Sequence, residues 1–247
     1  MSKIALGTWA WGAGAFGGDA VFGSKTDEEN LKPVFDAAMK AGLNLWDTAT
    51  VYGMGESEKI LGTFVAGEKR ETVEVSNHNI KEIQRANEIL GEAGFKVSAV
   101  QNHFSLLYRS SEKGGVLDYC KENGIEFWAY MVLEQGALSG KYNMENPLPA
   151  ESDRGKKYNP VLPQLEALTN EMTAIGQKYG ASCSQIGIAW AIAKGTLPII
   201  GATKERHVIE AAEAAKIQLT AEEIAKLEAL ADATGIDTRG GWEHSME

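Results

Sequence analysis

The residues best suited to chemistry lie in one short stretch, Asn44-Leu45-Trp46-Asp47-Thr48-Ala49-Thr50-Val51-Tyr52-Gly53. Asp47 ends an apolar run, and Tyr52 follows five residues later on the adjoining loop. A carboxylate can pair with a cation, and a phenol can donate a proton to a substrate oxygen. By itself this spacing favours a structural interpretation, in which Asp47 caps a turn and Tyr52 packs on it. A catalytic role for the two residues is favoured only if the apolar run is a strand of a parallel barrel, because catalytic residues lie at the C-terminal ends of such strands.

Short apolar runs alternate with amphipathic stretches throughout the chain, which predicts a parallel sheet covered by helices. The predicted strands are 4–9, 43–47, 72–76, 97–101, 126–131 and 197–201. The predicted helices are 26–42, 57–64, 80–90, 111–123, 162–179, 183–193, 205–215 and 221–230. No low-complexity linker divides the 247 residues, so we expect a single domain spanning 1–247. Six strands are two fewer than a TIM barrel has.

The composition of the chain argues against several classes of binding partner and indicates a cellular location. The formal net charge of -10 and a pI near 5.0 argue against nucleic acid or an anionic membrane as the main partner. Cys120 and Cys183 match no metal-site spacing and suit a reducing compartment. The first residues lack the apolar run of a signal peptide, and no window approaches the roughly 18 apolar residues of a membrane span. We therefore expect a cytoplasmic protein.

Asp47 and Tyr52 belong to a series of motifs that resembles the aldo-keto reductases, barrel enzymes that reduce carbonyls with a nicotinamide cofactor. The other motifs are Glu58-Lys59-Ile60-Leu61-Gly62, Val75-Ser76-Asn77-His78-Asn79, Val100-Gln101-Asn102-His103, Ala129-Tyr130 and Ile200-Gly201-Ala202-Thr203-Lys204. Each motif is weak alone, but their order along nearly the whole chain makes the resemblance specific. It implies a small-molecule carbonyl substrate.

The resemblance also implies a site for NADP(H), with NAD(H) as the other possibility. The residues that would hold the nicotinamide carboxamide are Ser76, Asn77 and Gln101. Tyr130 would stack on the nicotinamide ring. The cofactor phosphate loop would contain Gly201, Thr203, Lys204 and Glu210, with Lys204 at the adenosine 2′-phosphate. His103 would have a structural role or one on the cofactor side of the site.

Residues 71–76 depart from the family pattern. Glu71-Thr72-Val73-Glu74 resembles the start of a family strand that ends in a lysine, whereas Val75-Ser76-Asn77-His78 resembles the end of a later strand. Between them roughly 70 residues are missing, about two βα units of ~30 residues or more each. We therefore expect a TIM-barrel-derived parallel barrel shortened to about six βα units. If it does not close, its open edges would invite completion by a homodimer.

The missing segment bears on catalysis. In the family, a Tyr donates the proton, a Lys lowers its pKa, an Asp pairs with that Lys and a His orients the substrate. Asp47 and Tyr52 match, but the Lys and the His have no counterpart. Two functions remain open: NADPH-dependent carbonyl reduction that is weak or lost, and a non-catalytic nicotinamide-nucleotide-binding protein or degenerate or engineered deletion variant. A zinc hydrolase is disfavoured because the four histidines show no metal spacing.

Overall fold

The computed structural model describes residues 4–14, 16–23, 26–49, 52–64, 74–76, 79–92, 97–241 and 243. Its strands are β1 (Ala5–Gly7), β2 (Trp46–Asp47), β3 (Glu74–Ser76), β4 (Ala99–His103), β5 (Glu126–Tyr130) and β6 (Leu197–Gly201). Every pairing is parallel, and the order across the sheet is β2-β1-β6-β5-β4-β3. This arrangement confirms the predicted fold class, a shortened parallel barrel of about six βα units.

Helices alternate with the strands. They are α1 (Gly18–Phe22), α2 (Glu28–Lys40), α3 (Glu56–Phe64), α4 (Ile80–Glu92), α5 (Ser110–Lys113), α6 (Val116–Asn123), α7 (Asp153–Tyr158), α8 (Leu162–Tyr179), α9 (Cys183–Ala193), α10 (Glu205–Ala214) and α11 (Ala221–Ala233). Capping boxes at Asp27, Ser182 and Thr220 satisfy the first free N–H groups of α2, α9 and α11. Among the described residues, no helix has the length and apolar character needed to cross a membrane.

The predicted helix 111–123 is wrong as a single element. The structure contains α5 and α6, separated by Gly114 and Gly115. Gly115 has φ 77°, a left-handed conformation that interrupts a right-handed helix and that glycine adopts without steric cost. The short helices α1 and α7 were not predicted, because five or six residues are too few for a clear periodic pattern.

The sheet curls until strands far apart in its order come into contact. Nε2 of Gln101 on β4 lies 2.6 Å from Oδ1 of Asp47 on β2. Four strand intervals separate β2 from β4, which in a flat sheet would span about 19 Å. Inside the curl a small buried cluster contains Ala5, Ala99, Trp128 and Ile199. Within the described residues β2 and β3 are the end strands and do not pair with each other.

Candidate active site

Asp47 is fixed at the C-terminal end of β2 by both its backbone and its side chain. Its carbonyl oxygen accepts hydrogen bonds from the backbone N–H and the hydroxyl of Thr8, both at 3.0 Å. Its carboxylate accepts the Gln101 amide. Burial raises the pKa of Asp47 to about 6, and the hydrogen bond from Gln101 opposes that shift in part. The carboxylate is therefore held in place but incompletely stabilised.

Tyr52 begins a short 3-10 turn, and its N–H bonds the carbonyl of Ala49 at 2.9 Å. Its ring stacks on Trp9 with centroids 5.7 Å apart, while Trp9 donates its indole N–H to the carbonyl of Phe16. Burial, and then the negative charge of Asp47, raise the pKa of the Tyr52 phenol above its ordinary value. Tyr52 is thus a weaker acid than a free tyrosine.

No lysine in the described part of the chain forms an ion pair with Asp47 or a hydrogen bond with Tyr52. The donor on the Asp47 carboxylate is instead a neutral amide. Gln101 stabilises the carboxylate without placing a positive charge beside the phenol, so among the described residues no paired cation counteracts the effect of burial on the pKa of Tyr52.

The strand ends align the residues predicted to hold the nicotinamide. Ser76 is opposite Gln101 in the pairing of β3 with β4, and His103 is opposite Tyr130 in the pairing of β4 with β5. Asn77 lies outside the described residues, as do His78 and Trp242. The hydroxyl of Thr48, next to Asp47, is buried and has no hydrogen-bond partner among the described residues. The C-terminal ends of the strands form the mouth of the barrel. A polar group of a ligand bound at this mouth could form the missing hydrogen bond with Thr48, and a nucleotide has such groups.

A basic loop follows β6. Gly201 is in register with Gly7, which in turn is in register with Asp47, so β6 and β2 end at the same level of the barrel. The N–H of Thr203 bonds Nδ1 of His207 at 3.3 Å, and the exposed Lys204 precedes α10 in an extended conformation. The resulting helix N-terminus, with a lysine in front of it, is chemically suited to a phosphate group.

His207, within the first turn of α10, is half-buried. Burial, with the positive charges of Arg206, Lys204 and Lys141, lowers its pKa to about 4. His207 is therefore neutral at neutral pH, and three cations lie close enough to act on it.

Two residues near the loop after β6, Glu210 and Trp11, form specific hydrogen bonds. The backbone carbonyl of Glu210 on α10 accepts the side-chain amide of Gln185 at 3.0 Å. Trp11 is fully buried and donates its indole N–H to the carbonyl of Ala202 at 2.9 Å. It is part of the core, because its ring packs against Trp46 and Phe64.

A buried ionic cluster near Tyr130 was missed by sequence reasoning. His103 is 1% exposed and lies between two carboxylates, with Nε2 at 3.0 Å from Glu134 and Nδ1 at 3.0 Å from Glu243. Burial alone would lower the pKa of His103, but the two carboxylates outweigh it and raise the pKa to about 9. Both ring nitrogens therefore donate, and His103 is an imidazolium.

Glu134 is the most heavily bonded member of this cluster. Its fully buried carboxylate also accepts the hydroxyls of Ser105, Tyr158 (2.6 Å) and Thr238 (2.9 Å). These donors, together with the charge of His103, offset the burial and lower the pKa of Glu134. Glu134 has φ 48°, which is strained for a non-glycine residue. All five such residues in the described chain lie on loops that follow β1, β2 or β5: Phe16, Met54, Met131, Glu134 and Gln135.

Comparison with known proteins identifies the family. The family model of the aldo/keto reductases matches residues 3–74 and 71–232. The chain is 26% identical over 308 residues to the chloroplastic pyridoxal reductase of Arabidopsis thaliana, covering 92% of this chain and 82% of that protein. It is 25% identical over 303 residues to an uncharacterized oxidoreductase of Mycobacterium tuberculosis, covering 94% of this chain and 89% of that protein. The chain belongs to the aldo/keto reductase family.

Comparison with solved structures gives the same class of barrel fold. The structure is similar to that of the glycerol dehydrogenase from Gluconobacter oxydans, with a TM-score of 0.71 and 21% sequence identity, covering 97% of this chain and 95% of that one. Members of the family generally use nicotinamide cofactors and act on small carbonyl substrates. The predicted aldo-keto reductase relationship is confirmed.

Proposed function

We propose that the protein binds a nicotinamide nucleotide, with a preference for NADP(H), at the C-terminal mouth of the shortened barrel and reduces small carbonyl compounds slowly. The observation that carries this proposal is the placement of Asp47 and Tyr52 together at one strand end, level with the basic loop after β6. A bound nicotinamide would supply a hydride to the carbonyl carbon. Tyr52 would donate the proton to the carbonyl oxygen.

Turnover is slow because the proton donor is poorly tuned. The pKa of Tyr52 is raised by burial and by Asp47, and within the described residues the hydrogen-bond donor to that carboxylate is the neutral Gln101. A positioned general acid typically contributes ~10²–10⁴-fold, and an acid of mismatched pKa forfeits part of this factor. The absence of a matching Lys and His motif from the sequence supports the same conclusion.

We also propose that the barrel is shortened by an internal deletion between Glu74 and Val75. Two observations support it. The family model matches in two separate pieces whose ends meet at residues 71–74. The alignment with the pyridoxal reductase extends over 308 positions, more than the 247 residues of this chain, so residues of that relative must have no counterpart here.

The alternative function is nucleotide binding without catalysis. It is favoured by the 2.6 Å hydrogen bond between Gln101 and Asp47, because this bond gives the carboxylate a neutral partner and leaves the pKa of Tyr52 raised. A steady-state assay with NADPH and an aromatic or aliphatic aldehyde separates the two functions. Turnover above the rate of the same mixture without the protein supports reduction, and saturable NADPH binding without such turnover supports the alternative.

Titration with NADPH, followed by quenching of tryptophan fluorescence, tests the cofactor site. We expect saturable binding, and we expect Lys204→Ala to weaken NADPH binding by ~10-fold or more while changing NADH binding little. The reason is that a hydrogen bond to a charged group contributes about 1.5–3 kcal/mol and only NADPH has the 2′-phosphate. Lys216→Ala is the matched control, since Lys216 is an exposed lysine paired with Glu213 away from the loop. Equal weakening of NADPH and NADH by Lys204→Ala would contradict the assigned preference.

We propose further that two copies pair through the end strands of the sheet. β2 and β3 are the edges within the described part of the chain, and exposed strand edges favour association. Light scattering should then give a molar mass near twice 26.6 kDa. A concentration-independent monomer mass would exclude this arrangement.

A further inference from the structure

The end of the described chain crosses the mouth of the barrel beside Tyr130. We call residues 236–241 with Glu243 the C-terminal strap. The carboxylate of Glu243 accepts the phenol of Tyr130 at 2.6 Å, Nδ1 of His103 at 3.0 Å and the N–H of Gly240 at 2.8 Å. Its side chain is 0% exposed. The strap therefore delivers a buried carboxylate to the side of the mouth where Tyr130 ends β5.

Polar groups, more than apolar ones, hold the C-terminal strap. Ile236 is its one hydrophobic side chain among the described residues, and it is only partly buried. The other attachments are the Thr238 hydroxyl on Glu134 at 2.9 Å and Nζ of Lys157 on the Thr238 carbonyl at 2.7 Å. Because buried ion pairs contribute little net stability compared with apolar packing, stabilisation alone is a weak reason for this cluster.

Tyr130 is held on two sides by the cluster. Its hydroxyl is fixed by Glu243, and its ring stacks on the imidazolium of His103 with centroids 5.5 Å apart and planes 24° apart. His103 is itself fixed by Glu134 on its other nitrogen, and its ring also stacks on Tyr108, at 4.3 Å between centroids. The orientation of the Tyr130 ring thus depends on a carboxylate 113 residues away in the sequence.

We propose that Glu243 is a positioning residue of the nicotinamide site: through the C-terminal strap it holds the Tyr130 ring in the orientation in which the cofactor stacks on it. This inference rests on the proposed function, since it assigns to Tyr130 a role in holding the nicotinamide. A ring that is fixed before the cofactor arrives costs less conformational entropy on binding than a ring that must be ordered. The attachment of the C-terminal strap to Tyr130 and the affinity for the cofactor are therefore coupled.

The test compares Glu243→Ala with Thr238→Val, a matched variant in the same strap that loses a hydrogen bond to Glu134 and none to Tyr130. Both should lower the melting temperature. Only Glu243→Ala should raise the Kd for NADPH, by about tenfold, the factor that corresponds to about 1.4 kcal/mol. Tyr130→Phe should raise it similarly, and the double variant Glu243→Ala, Tyr130→Phe should lose little more, because both changes break the same link.

A second measurement does not depend on the cofactor. The protein is labelled with 3-fluorotyrosine, and the fluorine resonance of residue 130 is assigned by its disappearance in Tyr130→Phe. We expect this resonance to move towards the position of a solvent-exposed tyrosine in Glu243→Ala and to stay in place in Thr238→Val.

The possible results distinguish a failure of the positioning role of Glu243 from a failure of the proposed function. An NADPH Kd for Glu243→Ala within twofold of the wild-type value, or an equal rise in Thr238→Val, overturns the positioning role. An unmoved fluorine resonance in Glu243→Ala overturns it as well. A wild-type protein that fails to bind NADPH overturns the proposed function, and the fluorine signal then decides whether Glu243 fixes Tyr130.

Discussion

Raising the pH from about 6 to about 9 is expected to lower the free energy of unfolding by about 2–3 kcal/mol through His103. The folded-state pKa of this histidine is about 9, above its ordinary value of 6.5. A raised pKa stabilises the folded state below the unfolded-state pKa, and this stabilisation is lost as the pH rises through the folded-state pKa. The loss should therefore be nearly complete just above pH 9.

Urea unfolding at a series of pH values checks this expectation, and two variants sharpen it. Glu134→Gln removes one of the two carboxylates on His103, so the alkaline decline should become smaller and start at lower pH. His207→Gln is the control: the pKa of His207 is lowered to about 4, so this residue affects stability only on the acid side of pH 6.5. A flat profile between pH 6 and pH 9 in the wild-type protein would show that His103 is neutral when folded.

The strand and helix pattern was predictable because it depends on local sequence. β6 was predicted at its observed bounds, since the apolar run from Leu197 to Gly201 is flanked by Gly195 and by the polar Thr203-Lys204. Differences arise at element ends and at glycines. α5 and α6 were predicted as one helix because the apolar period continues across Gly115, whose left-handed conformation only the structure reveals.

The ionic cluster was not predictable, since its members are distant in the sequence. His103, Glu134 and Glu243 belong to β4, the loop after β5 and the C-terminal strap. The sequence does not distinguish a buried glutamate such as Glu134 from an exposed one. Burial of its charge depends on partners that are brought together only by the fold. The partial signal in the sequence was the place of His103 at the end of a strand beside the predicted nicotinamide site.

Gln101 shows why a family role cannot be transferred without the family's neighbours. The resemblance assigns it to the nicotinamide carboxamide, whereas the structure places its amide on Asp47. A buried carboxylate that pairs with no lysine among the described residues still requires a donor. The curl of the six described strands brings Gln101 across the mouth to provide one. The role predicted for Gln101 therefore stays a prediction. A nicotinamide carboxamide would have to compete with Asp47 for the Gln101 amide.

The largest gain of function is expected from Gln101→Lys, which should raise the rate of carbonyl reduction by ~10–100-fold. An ammonium group in place of the amide would lie next to Asp47 and add a positive charge where the described donor is a neutral amide. It would stabilise both the Asp47 carboxylate and the Tyr52 phenolate, so both pKa values should fall, and a phenol of lower pKa is a better proton donor near neutral pH. The measurement is kcat with NADPH and an aldehyde as a function of pH.

Two further variants test whether the gained rate depends on the added charge and on Tyr52 as the proton donor. Gln101→Met has a side chain of similar size without a charge or a donor, and it should give no gain. Tyr52→Phe should change the residual rate of the wild-type protein little, because the phenol there is poorly tuned. In the Gln101→Lys background the same Tyr52→Phe change should remove nearly all of the gained rate. If Gln101→Lys binds NADPH and yet gains nothing, the slow step is not proton donation by Tyr52, and substrate positioning limits this shortened barrel instead.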